Sequence, residues 1–240
     1  MTGASRGIGR SIAEVFANEG AKVVINYNRD ETSALGVAKE IDKKDGYAIC
    51  VQADVSNVGH VKRLINTALD NFGRIDILVN NAGVMFPEDF LAASEQVWDK
   101  TIDINLKGAY LCSKEVAPIM IKQKKGKIIN ISSNSGLYHP SSMRYVEYVA
   151  SKAGMNGITK AMALRLGPCV TVNAICPGYI QTEMVAHNDP ATEKMLLDET
   201  ALKRFGRPDE VANAAVFLAS NEADFITGEL LIVAGGRGMH

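Results

Sequence analysis

The 240-residue sequence predicts one α/β domain, residues 1–240, built on a doubly wound parallel sheet. Short runs rich in Val and Ile alternate with longer segments of helical period, the pattern of a parallel sheet covered on both faces. A glycine-rich turn, TGASRGIG at Thr2 to Gly9, opens directly into a helix, as phosphate-gripping loops of such sheets do. An apolar content of 47% is ample for a single large core at this length.

Each element follows from its local pattern. Ile8, Ile12, Val15 and Phe16 form the apolar stripe of the first helix. Strands are expected at Lys22 to Asn26, Tyr47 to Gln52, Ile75 to Val79, Lys127 to Ile131, Val170 to Ile175 and Leu230 to Val233. Between the first two, Asp30 is the expected N-cap, Leu35, Ala38 and Ile41 the buried face, and Gly46 the stop. Val61, Leu64, Ala68 and Phe72 repeat at three-to-four spacing before Gly73, and Pro208 suits a first helical turn. Lys122, Lys124, Lys125 and Lys127 read as a solvated turn before a strand rather than a binding patch. From Ala150 to Leu166 the residues are apolar or small on nearly every side, which predicts burial of both helix faces and a subunit contact; a one-sided core helix is the alternative.

Composition narrows the function. A net charge of -1 provides no basic footprint for nucleic acid or an anionic membrane, so a small molecule or another protein is the expected partner. Cys50, Cys112, Cys169 and Cys176 stand far apart, without a CxxC pair, as reduced thiols of a soluble cytoplasmic protein do. No basic leader with a cleavage site and no apolar run near 20 residues is visible. His60, His139, His187 and His240 lack metal-ligand spacing, and no serine sits in a glycine-flanked elbow, which argues against a metal site and a hydrolase.

In the opening loop, Gly3, Gly7 and Gly9 allow a tight turn and close backbone approach to a pyrophosphate at the helix start. An acidic residue about 20 positions on would hold the ribose hydroxyls of NAD. The strand there ends instead in Asn26, Tyr27, Asn28 and Arg29, with no carboxylate before Asp30. With Arg6 and Arg29 nearby, NADP is favoured, NAD remains open, and ordinary surface arginines are the alternative. Further on, Tyr148 and Lys152 stand four apart, on one helix face, where an ammonium would lower a phenol's pKa towards a working range.

Five ordered motifs, TGASRGIG, NNAG (Asn80 to Gly83), ISSNSG (Ile131 to Gly136), YVASK (Tyr148 to Lys152) and PGYIQT (Pro177 to Thr182), resemble those of the short-chain dehydrogenase/reductase family across essentially the whole chain. The resemblance implies a Rossmann-type fold, a nicotinamide cofactor and reversible hydride transfer between an alcohol and a carbonyl. It implies that Ser133 binds the substrate oxygen, Tyr148 is general acid or base, Lys152 also holds the nicotinamide ribose, and Asn105 holds a water linking Lys152 to solvent. Around the cofactor it implies Gly3, Ser5, Arg6, Gly7, Ile8 and Gly9 at the pyrophosphate, and Asn28 and Arg29 at the adenosine ribose. Asp54 and Val55 would flank the adenine, Asn81, Ala82 and Gly83 would lie beneath the ribose, and Pro177, Gly178, Ile180 and Thr182 would meet the nicotinamide end. Capping of the next helix is the alternative for Asp54. The family also implies a homotetramer or homodimer.

Departures shape the expectation. The gap from Ser133 to Tyr148 is about two residues longer than usual for the family, which leaves Ser132 and Ser135 as weaker candidates. Ala234 stands where relatives often carry an acidic residue, and VMFPEDF after NNAG lacks the Arg-Asp run associated with bacterial 3-oxoacyl-carrier-protein reductases. Met184, Met195, Leu196 and Leu197 suit an uncharged or extended substrate. A 3-oxoacyl thioester and a sugar or polyol are therefore the leading substrate classes; a non-catalytic nucleotide-binding protein or an inactive truncated product is the rival. The strand that normally precedes the loop, at the sheet centre, is not in the sequence. Its absence predicts neighbours roughly 9 to 10 Å apart, a filled or rearranged gap and weakened cofactor binding. Met1 falls where relatives often have valine, so an internal valine codon read as a start, with an apolar stretch encoded upstream, is expected.

Overall fold

The computed structural model describes residues 1–137, 145–183 and 190–238; His139, Met184, His187 and His240 lie outside the described residues. Its strands are β1 (Lys22–Tyr27), β2 (Tyr47–Gln52), β3 (Ile77–Asn80), β4 (Gly126–Ile131), β5 (Val170–Pro177) and β6 (Leu230–Val233). The helices are α1 (Gly7–Asn18), α2 (Glu31–Asp42), α3 (Val58–Phe72), α4 (Glu95–Ile102), α5 (Gly108–Gln123), α6 (Val146–Leu166), α7 (Pro190–Asp198) and α8 (Pro208–Ala219). All six expected strands form, β2 and β6 with the expected bounds and the others with ends shifted by one or two residues.

Side chains that alternate along each strand build two cores. Val79, Ile129, Ile131 and Ile175 pack beneath α1, α2 and α8, while Leu78, Ile128 and Val172 pack beneath α3, α5 and α6. Every strand pairing is parallel, but the pairing falls into two groups, β1-β2 and β3-β4-β5-β6. Met1 to Ala4 bridge them. On one side the Met1 amine donates to Val24 O (3.0 Å), Asn26 N to Met1 O (3.1 Å) and Ala4 N to Asn26 O (2.9 Å). On the other, Thr2 N donates to Val79 O at 3.0 Å. The expected gap is thus stitched at the C-terminal ends of β1 and β3, and the helices packed on both faces hold the rest. Burial pulls the Met1 amine down to about 6.

Several local expectations need correction. The face of α2 that packs inward is Ala34, Val37 and Ile41, whereas Leu35 is 54% exposed, because a helix presents i, i+3 and i+7 together and Leu35 falls outside that stripe. Asp30 does cap α2, accepting from Ser33 N at 2.9 Å, but the helix ends at Asp42, before Gly46. Lys127 is not solvated: it is 4% exposed and its ammonium meets Asp224 at 2.6 Å. In the isolated chain, α6 buries one face, while Ala153, Gly157, Ala161 and Leu164 on the other are exposed.

Candidate active site

The site lies at the C-terminal ends of the strands, where the chain turns outward on either side of the β1/β3 division, the place at which doubly wound sheets bind ligands. The opening loop is crowded into shape. A Cβ on Gly9 would lie 2.4 Å from both Asn81 Nδ2 and Gly3 O, and one on Gly3, at φ +59°, 2.8 Å from Ala82 Cα. Asn81 Nδ2 donates to Gly3 O (2.8 Å) and Thr2 O (3.1 Å), while Thr2 Oγ1 accepts from Asn81 N (3.0 Å) and Ala82 N (3.1 Å). TGASRGIG and NNAG are therefore one hydrogen-bonded unit. α1 starts behind it with no side-chain cap and no acidic residue in its first turn, which leaves its dipole and first amides for an anion.

Beside this unit, β1 is followed by exposed Asn28 and Arg29, and Arg6 pairs with Glu183 at 3.1 Å on the surface. Asp54 does not cap α3. Its carboxylate accepts from Ser56 N and Oγ at 2.9 and 2.6 Å, and Asn57 supplies the cap through Gly59 N and His60 N, because Asn57 directly precedes the helix. Val55 is buried under Gly108.

The candidate catalytic groups come from three elements. α6 carries Tyr148 and Lys152, the loop after β4 carries Ser133, and a π-helical turn at Asp103–Lys107, between α4 and α5, carries Asn105. Such turns often mark functional sites, because the extra residue widens the backbone. Asn105 is fully buried, accepts from Val84 N (2.8 Å) and donates to Val84 O (2.9 Å) and Ser151 Oγ (3.0 Å). Gly83 faces a space bordered by Asn105 Oδ1 and Lys152 Nζ, 3.4 and 3.7 Å from where a Cβ would stand. Ser133 is near enough to the Tyr148 phenol to act on its proton, and its Oγ accepts from Ser135 N at 3.1 Å; Ser132 instead turns to Asn156 Oδ1 (2.7 Å) and Lys152 O (3.2 Å). That separates Ser133 from its neighbour. Lys152 Nζ donates to Ile131 O at 2.8 Å and lies 5.7 Å from the Tyr148 ring centroid.

The expected lowering of the Tyr148 pKa does not occur here. Burial pushes the phenol up, and the Ser133 hydrogen bond opposes it only in part. Burial also pulls Lys152 from its ordinary 10.5 down to about 8. The dry environment outweighs the neighbouring charge that spacing alone suggested.

A family model described as enoyl-(acyl carrier protein) reductase matches residues 3–238. A 3-oxoacyl-[acyl-carrier-protein] reductase of Synechocystis sp. is 44% identical over 100% of this chain and 96% of its own length. The enzyme of the same name from Staphylococcus epidermidis is 41% identical, over 100% and 98%. A Serratia marcescens short-chain dehydrogenase/reductase mutant superposes with a TM-score of 0.91 at 32% identity, covering 98% of this chain and 95% of that one. The chain belongs to the short-chain dehydrogenase/reductase family.

As a short-chain dehydrogenase/reductase, the protein is an oxidoreductase that interconverts a carbonyl and an alcohol with a nicotinamide cofactor, and the non-catalytic rival falls away. The cradle at Gly9 and the uncapped start of α1 fit the dinucleotide's pyrophosphate. Sequence reasoning missed Thr2, Asn26 and Ser151. Asn26 accepts from Gly3 N (3.2 Å) and donates to Ala53 O (2.9 Å), tying the loop to the end of β2. Ser151 relays between Asn105 and Tyr148 O (2.7 Å). Thr2 and Ser151 stand inside TGASRGIG and YVASK, and Asn26 is a polar residue within an apolar run. Leu196, expected at the substrate, is core at 2% exposed, whereas Met195 is 48% exposed.

A buried ammonium pulled from 10.5 to about 8 costs the fold about 3 kcal/mol at neutral pH. Because the unfolded chain holds that proton between about pH 8 and 10.5 and the folded chain does not, stability rises with pH across that window. Lys152→Met is expected to exceed the wild type by up to about 3 kcal/mol in denaturant unfolding at pH 7, and the difference should shrink towards pH 10.5. A constant difference across that range would contradict the buried charge.

Proposed function

We propose that the protein is an NADP-preferring reductase of 3-oxoacyl thioesters, with residues 1–240 acting as one cofactor-binding and catalytic domain. The observation that carries this reading is the gathering of Ser133, Tyr148 and Lys152: Lys152 Nζ lies 5.7 Å from the Tyr148 ring centroid, and Ser133 is near enough to the phenol to act on its proton. Two neighbouring hydroxyls suit a carbonyl oxygen rather than a carbon-carbon double bond, so carbonyl reduction is favoured over enoyl reduction. The names of the curated relatives point the same way.

When bound, the nicotinamide supplies the hydride. Ser133 orients the substrate oxygen, Tyr148 donates the proton to it in reduction and takes it back in oxidation, and Lys152 holds the ribose and replenishes charge beside the phenol. Asn105, engaged by Val84 and Ser151, borders the space beside Gly83, where a water would connect Lys152 outward. Gly3, Ser5, Arg6, Gly7, Ile8 and Gly9 hold the pyrophosphate. Asp54 and Val55 flank the adenine, Asn81, Ala82 and Gly83 support the ribose, and Pro177, Gly178, Ile180 and Thr182 meet the nicotinamide end.

Preference for NADP is supported at the end of β1. The first carboxylate there, Asp30, is spent capping Ser33 N and Oγ at 2.9 and 2.7 Å, which leaves exposed Arg29 and Arg6 for a 2′-phosphate. The Arg6–Glu183 pair is on the surface, where such contacts are weak and readily exchanged. A homotetramer is supported by the exposed small and apolar residues of α6, with Leu164 at 89%. A cytoplasmic setting is supported by four free cysteines. No helix among the described residues is long and apolar enough to cross a membrane.

Tyr148→Phe is expected to abolish reduction of acetoacetyl-coenzyme A while the NADPH dissociation constant stays within about twofold; retention of most of the rate would refute the proton-donor role. Arg29→Asp is expected to raise KM for NADPH by about tenfold or more with little change for NADH. Equal effects on the two cofactors would remove Arg29 from the 2′-phosphate site.

A further inference from the structure

Arg237 is 1% exposed, the largest fully enclosed side chain among the described residues. Guanidinium burial carries a heavy desolvation cost unless the charge is paired and its donors are used. Here the charge is paired and two of its donors are engaged. Nε and Nη2 donate to Glu199 Oε2, just past α7, at 3.1 and 2.8 Å, and the guanidinium carbon lies 4.4 Å from the centroid of the Tyr179 ring. That ring in turn packs on Phe205, centroids 6.1 Å apart.

The turn that delivers Arg237 is built for the purpose. Gly235, Gly236 and Gly238 have φ of +61°, +82° and +74°, and Arg237 N donates to Ala234 O at 3.1 Å. Through the same turn, Leu202 N donates to Gly235 O (3.1 Å) and Gly178 N to Val233 O (3.0 Å). Three separate pieces, the end of α7, the PGYIQT segment and the turn after β6, are thereby locked around one cation. Tyr179 and Arg237 also line a cleft of about 590 Å³ together with Ile180, Leu202 and Arg204. Tyr179 follows the C-terminal end of β5, beside the end of β4 that leads to Ser133: Ile131 pairs with Ile175, and Ser132 N donates to Ile175 O at 2.8 Å.

We propose that Arg237 is a positioning residue: braced by Glu199, it fixes the Tyr179 ring as the wall against which the carbonyl substrate seats beside Tyr148. The inference rests on Tyr148 as the proton donor to that substrate. Arg237 contacts neither substrate nor cofactor, so its effect on substrate binding passes through Tyr179.

The test compares wild type, Arg237→Met, Tyr179→Leu and the double variant in the full chain, with acetoacetyl-coenzyme A as substrate and NADPH binding followed by fluorescence. Arg237→Met is expected to raise substrate KM about tenfold, with kcat within about threefold and the NADPH dissociation constant within about twofold. The double variant should be no worse than Tyr179→Leu alone, since both changes remove one seat. Unchanged KM, additive effects, or a loss shared equally by KM, kcat and NADPH affinity would overturn the proposal. Should Arg237→Met fail to fold, Arg237→Lys and Glu199→Gln replace it; each is expected to raise KM about threefold, and a normal KM in both overturns the role. Absence of turnover in the wild type would count against the thioester reading and not against the brace. The brace is then read from amide exchange across Gly178 to Thr182, which Arg237→Met should speed about tenfold; unchanged exchange would overturn it.

Discussion

Four residues at the start of the chain, Met1 to Ala4, hold the two groups of strands in register. Their backbone serves Val24 and Asn26 on one side and Val79 on the other. Each strand group also packs helices on its two faces; that apolar packing is non-directional, and the hydrogen bonds fix which backbone atoms meet across the division. Thr2 contributes twice, its amide to Val79 O and its hydroxyl to the amides of Asn81 and Ala82. Losing that hydroxyl would leave two part-buried N–H groups without their partner, and such groups are costly to orphan. The glycine-rich loop and the NNAG turn therefore stand or fall together, and the floor of the proposed cofactor site is part of the same network that closes the sheet.

A second constraint runs through the site: the groups proposed to perform the chemistry are held where water is scarce. Lys152, 4% exposed, has a carbonyl partner and an aromatic face nearby but no carboxylate within its hydrogen-bonding reach among the described residues. Its ammonium is therefore poised near 8 and sensitive to whatever negative charge approaches. Tyr148, pushed up by the same dryness, remains a phenol at neutral pH, the form that a reduction requires as proton donor. Arg237 shows the opposite solution. It is buried more completely than Lys152, yet carboxylate and aromatic contacts compensate it, which makes it a fixed strut.

Much of the fold was legible because β-branched runs and glycine-terminated amphipathic segments are local signals. Six strands and the caps at Asp30 and Gly73 follow from them. Local signals failed where two neighbours competed for one role. Leu35 is more apolar than Ala34, yet the angular position of Ala34 on α2 decides burial. Asp54 and Asn57 are both good caps, and the one adjacent to the helix takes it. In the site, the five motifs marked Ser133, Tyr148 and Lys152, and these do converge. What spacing could not show was the dryness around them, which reverses the expected direction for Tyr148. Arg237 lay beyond such reasoning altogether, since its burial depends on Glu199 and Tyr179, 38 and 58 positions earlier in the chain.

The claim that one hydrogen-bonded unit, centred on Thr2, both closes the sheet and forms the dinucleotide floor is tested most directly by NADPH titration of Thr2→Val beside Thr2→Ser. Valine keeps the shape and removes the acceptor for the amides of Asn81 and Ala82, whereas serine retains it. The expected result is an NADPH dissociation constant raised about tenfold or more for Thr2→Val and within about twofold of wild type for Thr2→Ser. A folded Thr2→Val chain that binds NADPH as tightly as wild type would contradict the account.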